Sequence, residues 1–574
     1  MKRMIDCAMK RTPCDLVFRG GKIFNVYTGE LEEKELAVAN GKIVAIGEGY
    51  EGETVDCKGK VLLPGFIDAH LHVESTLLSP EAFSSLASAH GTTGIVADPH
   101  EITNVCGIEG AEYVAEAFSR LRYREVAPID VYLQLPSCVP ATPFETSGAK
   151  IDGKETAKEI AKPLFHGLGE MMNFPAVMAG EEDCLTKLIA AKEAGKTVDG
   201  HAPALSNEGL CAYLCAGIVT DHEALDAKEC AEKVARGMYC QLRNGSSAKN
   251  LEENAKAMTE FNFSRFLLCS DDKNADDLYN HGHIDDALRR LVACGIPAKW
   301  AICTATRNVS ECYGLRAKGA LSPGFDADIA VVDDVQSFCV RAVYKNGVKV
   351  AQDGHALFDS SKRYLPQSVQ NTVHVKEVAE DDFRIALKGN LVRAMKVLPH
   401  SLVTESVTAT VNRKDGDVRL EGTDLCKLAV VERHFASGNI GLCLVQGYGL
   451  KGGAIGITVA HDSHNLVVLG DNNADMVRVV SLLKEAGGGM ALVCGEKEEV
   501  FPLDIAGLMS SASVEEVRLH TARITKEAYR MGVKDYYEPF MTLAFLALPV
   551  IPHLKLTDRG LFDVDAFAFT SLEI

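Results

Sequence analysis

The sequence contains no Cys-x-x-Cys pair, although it has 18 cysteines. The thiols are scattered, and many, such as Cys269, Cys303 and Cys443, sit among apolar residues; Cys211 and Cys215, four apart, share one face of an expected helix. That pattern argues against a disulfide framework and fits a reducing cytosol. No stretch reaches the roughly 18 uncharged apolar residues of a membrane span, and residues 1–10 lack the apolar run of a secretory signal. Positive charge is also short: 60 Lys and Arg face 79 Asp and Glu, for a formal net charge of -19. Binders of duplex nucleic acid or of membrane surfaces carry a basic surplus, so neither partner is expected, and the acidic balance is read as serving solubility. Low-complexity segments and long-period repeats are absent as well. A cytoplasmic globular protein is the expectation.

What is present is a chain of 574 residues, 47% hydrophobic, long enough for more than one domain. Residues 15–47 alternate short β-rich runs with glycine turns, and Asn40-Gly41 before Lys42-Ile43-Val44-Ala45-Ile46 is a hairpin signal. From Val61 to about residue 315, strand candidates alternate with helical stretches. The strands include Gly94-Ile95-Val96-Ala97, Ile129-Asp130-Val131-Tyr132-Leu133, Thr197-Val198-Asp199, Gly217-Ile218-Val219 and Phe266-Leu267-Leu268-Cys269; the helices include residues 182–194 and 251–259. Repeated strand-then-helix units predict a parallel sheet, and their number and length suit a (β/α)8 TIM-like barrel. Residues 321–354 revert to β character with a second hairpin signal, Asn346-Gly347. The expected domains are a small β-sandwich built from both flanks (1–60 and 319–365), the α/β barrel (61–318) and a C-terminal α/β domain (366–574).

The chemistry centres on His70-Leu71-His72, directly after the apolar run ending at Asp68. Alternate residues of a strand point to one side, so two imidazoles at its end can grip one metal ion. Alone, the pair also fits two unrelated surface histidines. Four further residues follow apolar runs in the same way. Glu170 lies in Gly167-Leu168-Gly169-Glu170-Met171-Met172, where a carboxylate is costly to bury unless paired or bound to metal. His201, His222 and Asp271 each follow a strand candidate. All six fall at C-terminal strand ends, where such a barrel assembles its active site. They offer enough nitrogen and oxygen ligands for two divalent ions without a thiolate.

Pro64-Gly65-Phe66-Ile67-Asp68-Ala69-His70-Leu71-His72 resembles the first-strand motif of the amidohydrolase superfamily. Lys318-Gly319-Ala320-Leu321-Ser322-Pro323-Gly324-Phe325-Asp326-Ala327-Asp328 resembles the segment by which that superfamily leaves its barrel. Within it, the sequence resembles the bacterial adenine deaminases: Val73-Glu74-Ser75-Thr76, Asp98-Pro99-His100-Glu101-Ile102, Gly169-Glu170-Met171-Met172-Asn173, Asp199-Gly200-His201-Ala202-Pro203, Thr220-Asp221-His222-Glu223 and Ser270-Asp271-Asp272 all fit. In the tail, Ala460-His461-Asp462-Ser463-His464-Asn465 and Pro552-His553-Leu554-Lys555-Leu556-Thr557-Asp558 fit too. Many binuclear relatives bridge their ions with a carboxylated lysine; here Glu170 takes that place, as in adenine deaminases. The cytidine-deaminase type is different: His72-Val73-Glu74 matches half its zinc signature, but the Pro-Cys-x-x-Cys half is missing.

The resemblance implies hydrolytic deamination of adenine by water that two divalent ions acidify, manganese or iron(II) being favoured and zinc fitting as well. Asp271 is expected to ligate and to act as base, and Glu74 to relay a proton to the purine or else to orient a ligand histidine. Asp98, His100, Glu101 and Asp272 are expected to contact substrate or to support the ligands, and His461 and His464 either close the site or are structural. A purine substrate and a homo-oligomer are the partners implied. The competing readings are a cyclic amidase, an amino-sugar deacetylase, or a non-enzymatic barrel, which would have lost ligands.

Overall fold

The computed structural model of the chain describes residues 1–246, 249–399 and 401–574. Two compact units are present. One comprises Met1–Pro99, Val114–Ser137 and Asp152–Tyr364; the other comprises His100–Tyr113, Cys138–Ile151 and Leu365–Ile574. Among the described residues, no helix is long and apolar enough to cross a membrane.

Short parallel strands organise the first unit. Strands β1 (Phe66–Leu71), β2 (Thr92–Ala97), β3 (Asp130–Leu135), β4 (Gly167–Met171) and β5 (Thr197–Gly200) form one sheet in the order β5-β4-β3-β2-β1. Strands β6 (Thr220–Asp221), β7 (Tyr239–Arg243) and β8 (Phe266–Cys269) form another. Every pairing within the two sheets is parallel. Hydrogen bonds run on between them: the Val219 N–H donates to the Val198 carbonyl at 3.1 Å, and the Asp271 N–H to the His70 carbonyl at 3.0 Å. Helices alternate with the strands. The helix Pro80–Ala89 starts where the Ser79 side chain accepts the Ala82 N–H and proline occupies the first turn. β1, β2, β4 and β8 are buried along their whole length, as parallel strands covered on both faces must be. The architecture is α/β and TIM-like.

Three local expectations shift. Gly217-Ile218-Val219 is not a strand: Gly217 turns the chain at φ +93°, and the strand begins at Thr220. The helix from Leu251 stops at Ala255. The thiols are not all separate either, since Cys230 and Cys240 form a disulfide between the helix Ala227–Ala235 and β7; the other sixteen cysteines are not in that bridge.

Segments on either side of the parallel strands share a sheet. Lys22–Asn25, Glu30–Glu32 and Val61–Pro64 join Ile329–Val332, Val340–Lys345, Val348–Gln352 and His355–Ala356. A second sheet contains Cys14–Arg19, Glu35–Ala39, Lys42–Gly47 and Gly52–Asp56. Phe18, Leu36 and Val38 pack with Leu62, Ile329 and Tyr344 in one core between these sheets. Both Asn-Gly signals are hairpin turns, with φ of +52° and +71° at Asn40 and Gly41 and of +47° and +76° at Asn346 and Gly347, the left-handed pair that a two-residue turn requires. Where the flanking strands meet, the Gly65 N–H donates to the Asp328 carbonyl at 2.9 Å.

The second unit is built on an eight-stranded mixed sheet, with Leu425–Val431, Leu466–Gly470 and Ala454–Ile457 at its centre. The helix Asn473–Glu485 lays Met476, Val479, Val480 and Leu483 on it, an i, i+3, i+4, i+7 stripe.

Candidate active site

The six strand-end residues converge. Asp68 and His70 lie on β1, and His72 follows where the strand ends. His70 is fully buried and His72 nearly so. The His72 Nδ1–H donates to the Asp98 carbonyl at 2.8 Å, which fixes the tautomer and turns Nε2 toward Glu170 Oε1 at 3.3 Å and Asp271 Oδ1 at 3.2 Å. His70 Nε2 stands 3.6 Å from Asp271 Oδ1.

Glu170 divides its two oxygens between two pairs of histidines. Oε1 faces His70 Nε2 at 3.9 Å and His72 Nε2 at 3.3 Å; Oε2 faces His201 Nδ1 at 2.6 Å and His222 Nε2 at 3.3 Å. The backbone holds it there. Asp98 Oδ2 accepts the Glu170 N–H at 2.8 Å, and Ser137 Oγ donates to the Glu170 carbonyl at 2.5 Å. A side chain at residue 169 would place its Cβ 2.1 Å from Asp98 Oδ2, so any larger residue there displaces that carboxylate.

His201 and His222 follow β5 and β6. The His222 ring stacks on His70 at 4.2 Å between centroids. Asp221 accepts the Ala202 N–H at 2.8 Å and an ion pair from buried Lys233 at 2.7 Å, which ties the segment after His201 to the strand before His222. Asp271 lies just past β8 at φ +52°, a strained conformation for a residue with a side chain. Its Oδ2 accepts from Arg243 Nη1 at 2.9 Å while Oδ1 faces the first two histidines.

Burial opposes the charge on Glu170 and Asp271. The histidines around Glu170, and Arg243 beside Asp271, nevertheless hold both well below the usual carboxylate range. Burial also works against a charged His222, but Glu170 raises it to about 9. Burial, with His222 adding to it, pulls His70 down. Both ring nitrogens of His70 are buried without a hydrogen-bond partner. Buried imidazoles ordinarily have one, and a divalent cation satisfies such an atom equally well. Ligand atoms of His70, His72 and Asp271, of His70, Glu170 and His222, and of His201, His222 and Glu223 each gather within 4.8 Å. All are nitrogen or oxygen, so the donor set fits divalent ions.

Comparison with known proteins bears on this geometry directly. The profile described as "Amidohydrolase family" matches residues 61–350, and "Adenine deaminase C-terminal domain" matches residues 401–568. An adenine deaminase of Nitratidesulfovibrio vulgaris is 45% identical over 573 residues, covering 100% of this chain and 98% of its own. The chain belongs to the adenine deaminase family. Another member, from Desulfatibacillum aliphaticivorans, is 43% identical over 575 residues and covers 99% of each chain. Among solved structures, an enamidase titled as a member of the amidohydrolase superfamily aligns with 59% of this chain and 96% of its own, at 17% identity and a TM-score of 0.45.

In this member of the adenine deaminase family the remaining expected residues take varied places. Glu74 is buried in the single turn Val73–Thr76 that follows His72. Asp98 holds the His72 ring through its carbonyl and the Glu170 N–H through its carboxylate, as described. Asp272 accepts a hydrogen bond from Ser75 Oγ. His100 and Glu101 belong to the second unit, where Glu101 bonds to His461 and His464. Two residues escaped the sequence reading. Glu223 approaches His222 Nε2 at 3.6 Å and His201 Nδ1 at 4.0 Å, and Arg243 joins it to Asp271. Glu223 directly follows His222, but strict alternation would point it away; β6 ends at Asp221, so alternation no longer applies there.

Proposed function

We propose that this chain hydrolyses adenine to hypoxanthine and ammonia. The observation that carries the reading is Glu170 sharing its two oxygens between the His70/His72 and His201/His222 pairs, in a chain that matches adenine deaminases along its whole length. In this reading His70, His72, Glu170, His201, His222 and Asp271 hold two divalent ions, with manganese or iron(II) favoured over zinc. Such ions, when bound, lower the pKa of water so that a nucleophile is present at neutral pH. Asp271 receives the proton that this water gives up, through Oδ1, while Arg243 holds Oδ2. Asp271 then passes that proton to the exocyclic amine, and the proton left on the added oxygen restores Glu74. Glu74, in the turn after His72, delivers a proton to N1 of the purine as C6 becomes tetrahedral. The C6–N bond then breaks, ammonia departs and C6 keeps an oxygen, so adenine and water balance hypoxanthine and ammonia.

The same reading takes residues 61–318 as a closed (β/α)8 barrel, 1–60 and 319–365 as a β-sandwich, and 366–574 as a C-terminal domain. The bonds from Asp271 to His70 and from Val219 to Val198 support closure. The sixteen cysteines outside the one disulfide support a cytoplasmic home, and a homo-oligomer follows from the family. The test is ammonia release from adenine by metal-loaded protein, with a hydantoin and dihydroorotate as controls. Turnover of adenine alone is expected. Hydrolysis of a cyclic amide with adenine untouched would overturn the reading.

A further inference from the structure

We propose that the second unit carries a metal site of its own, for one divalent transition-metal ion, formed by His100, Glu101 and Asp462. This goes beyond the deaminase reading and uses none of the strand-end ligands. Ligand atoms of the three residues lie within 4.8 Å of one another, and all three side chains are buried. His100 Nε2 stands 3.4 Å from Glu101 Oε1 and 4.0 Å from Asp462 Oδ1. These spacings suit atoms sharing one ion: donors about 2.1 Å from a metal lie roughly 3.0–4.2 Å apart.

Glu101 is aimed by two histidines that come from a distant part of the sequence. Its Oε1 lies 2.6 Å from His461 Nδ1, and its Oε2 meets His464 Nε2. The Ala460 N–H donates to His464 Nδ1 at 3.1 Å, so the His464 hydrogen sits on Nε2 and points at Glu101. The His461 ring stacks on Phe545 at 4.5 Å, which limits its rotation. This is how supporting groups hold a metal-binding carboxylate. The donors are one imidazole and two carboxylates, a set for zinc, manganese or iron(II). The ion pins the segment His100–Tyr113 to the turn at residues 461–464 within that unit.

The full-length chain is stripped with a chelator, reloaded with manganese(II), desalted, and assayed for metal per chain. Asp462→Ala and Glu101→Ala are each expected to hold one ion fewer than the unaltered chain. The double variant His70→Asn/His72→Asn is expected to keep that ion. Unchanged metal content in Asp462→Ala and Glu101→Ala overturns the proposal. A crystal of the unaltered chain, measured at the manganese absorption edge, decides without any variant: an anomalous peak among His100, Glu101 and Asp462 is expected. Peaks confined to the strand-end histidines overturn it. A peak here with none there would leave this site standing and sink the two-ion reading instead.

Discussion

Asp98 accepts the backbone N–H of Glu170 at 2.8 Å, and the glycine before Glu170 is what lets the carboxylate come so close. Gly169→Ala drives a methyl group into that carboxylate. The expected outcome is a loss of about 1–3 kcal/mol in stability, typical of an overfilled site, together with weaker retention of metal. Denaturant unfolding and elemental analysis read both. Unchanged values would show that Asp98 can move aside freely.

Glu170→Gln keeps the shape and removes the charge. An amide offers only one good acceptor oxygen, so it cannot serve both histidine pairs. The variant is expected to lose at least one ion per chain and most of its turnover. A full metal complement in the variant would take the bridging role away from Glu170.

Asp271→Asn and Glu74→Gln probe the proton path. At full metal occupancy, Asp271→Asn is expected to lower kcat about a hundredfold or more. Glu74→Gln is expected to lower kcat while leaving KM nearly unchanged. Equal rates at equal metal content would remove Glu74 from the relay.

Asp328 gives a pH signature remote from the site. Burial resists its charge, but Lys345 at 2.9 Å and Lys318 at 2.7 Å hold its pKa down at about 2. A carboxylate with a depressed folded-state pKa stabilises the fold fully above its unfolded value near 4, and that contribution disappears as pH falls toward 2. Two units correspond to about 2–3 kcal/mol. Asp328→Asn should therefore be less stable than the unaltered chain at pH 7, and the difference should shrink toward pH 2. A constant difference across that range would rule out the linkage.

The candidate ligands stood out in the sequence because each lies at or just past the end of an apolar run. Buried strands leave little room for polar residues, so a histidine or acid directly after Phe66–Leu71 or Phe266–Cys269 stands out. β7 did not stand out, because Tyr239–Arg243 carries Gln241 and Arg243. Gln241 looks like a surface residue but is buried, donating to the Ala69 carbonyl at 3.1 Å. With that strand unread, Arg243 and its link from Asp271 to Glu223 were out of reach. The grouping of His100–Tyr113 and Cys138–Ile151 with the tail was equally hidden, since contacts between residues hundreds of positions apart leave no local periodicity. Both Asn-Gly hairpins, in contrast, were fixed by backbone conformation alone.

The strand Val61–Pro64 is paired on one side with Lys22–Asn25 and on the other with Ile329–Val332. On the ribosome its second neighbour is made more than two hundred residues later. At roughly 5–20 residues per second, that edge stays bare for about ten seconds to a minute. Nascent chains of this protein thus pass through a long interval with an open, apolar strand edge, when chaperone protection matters most.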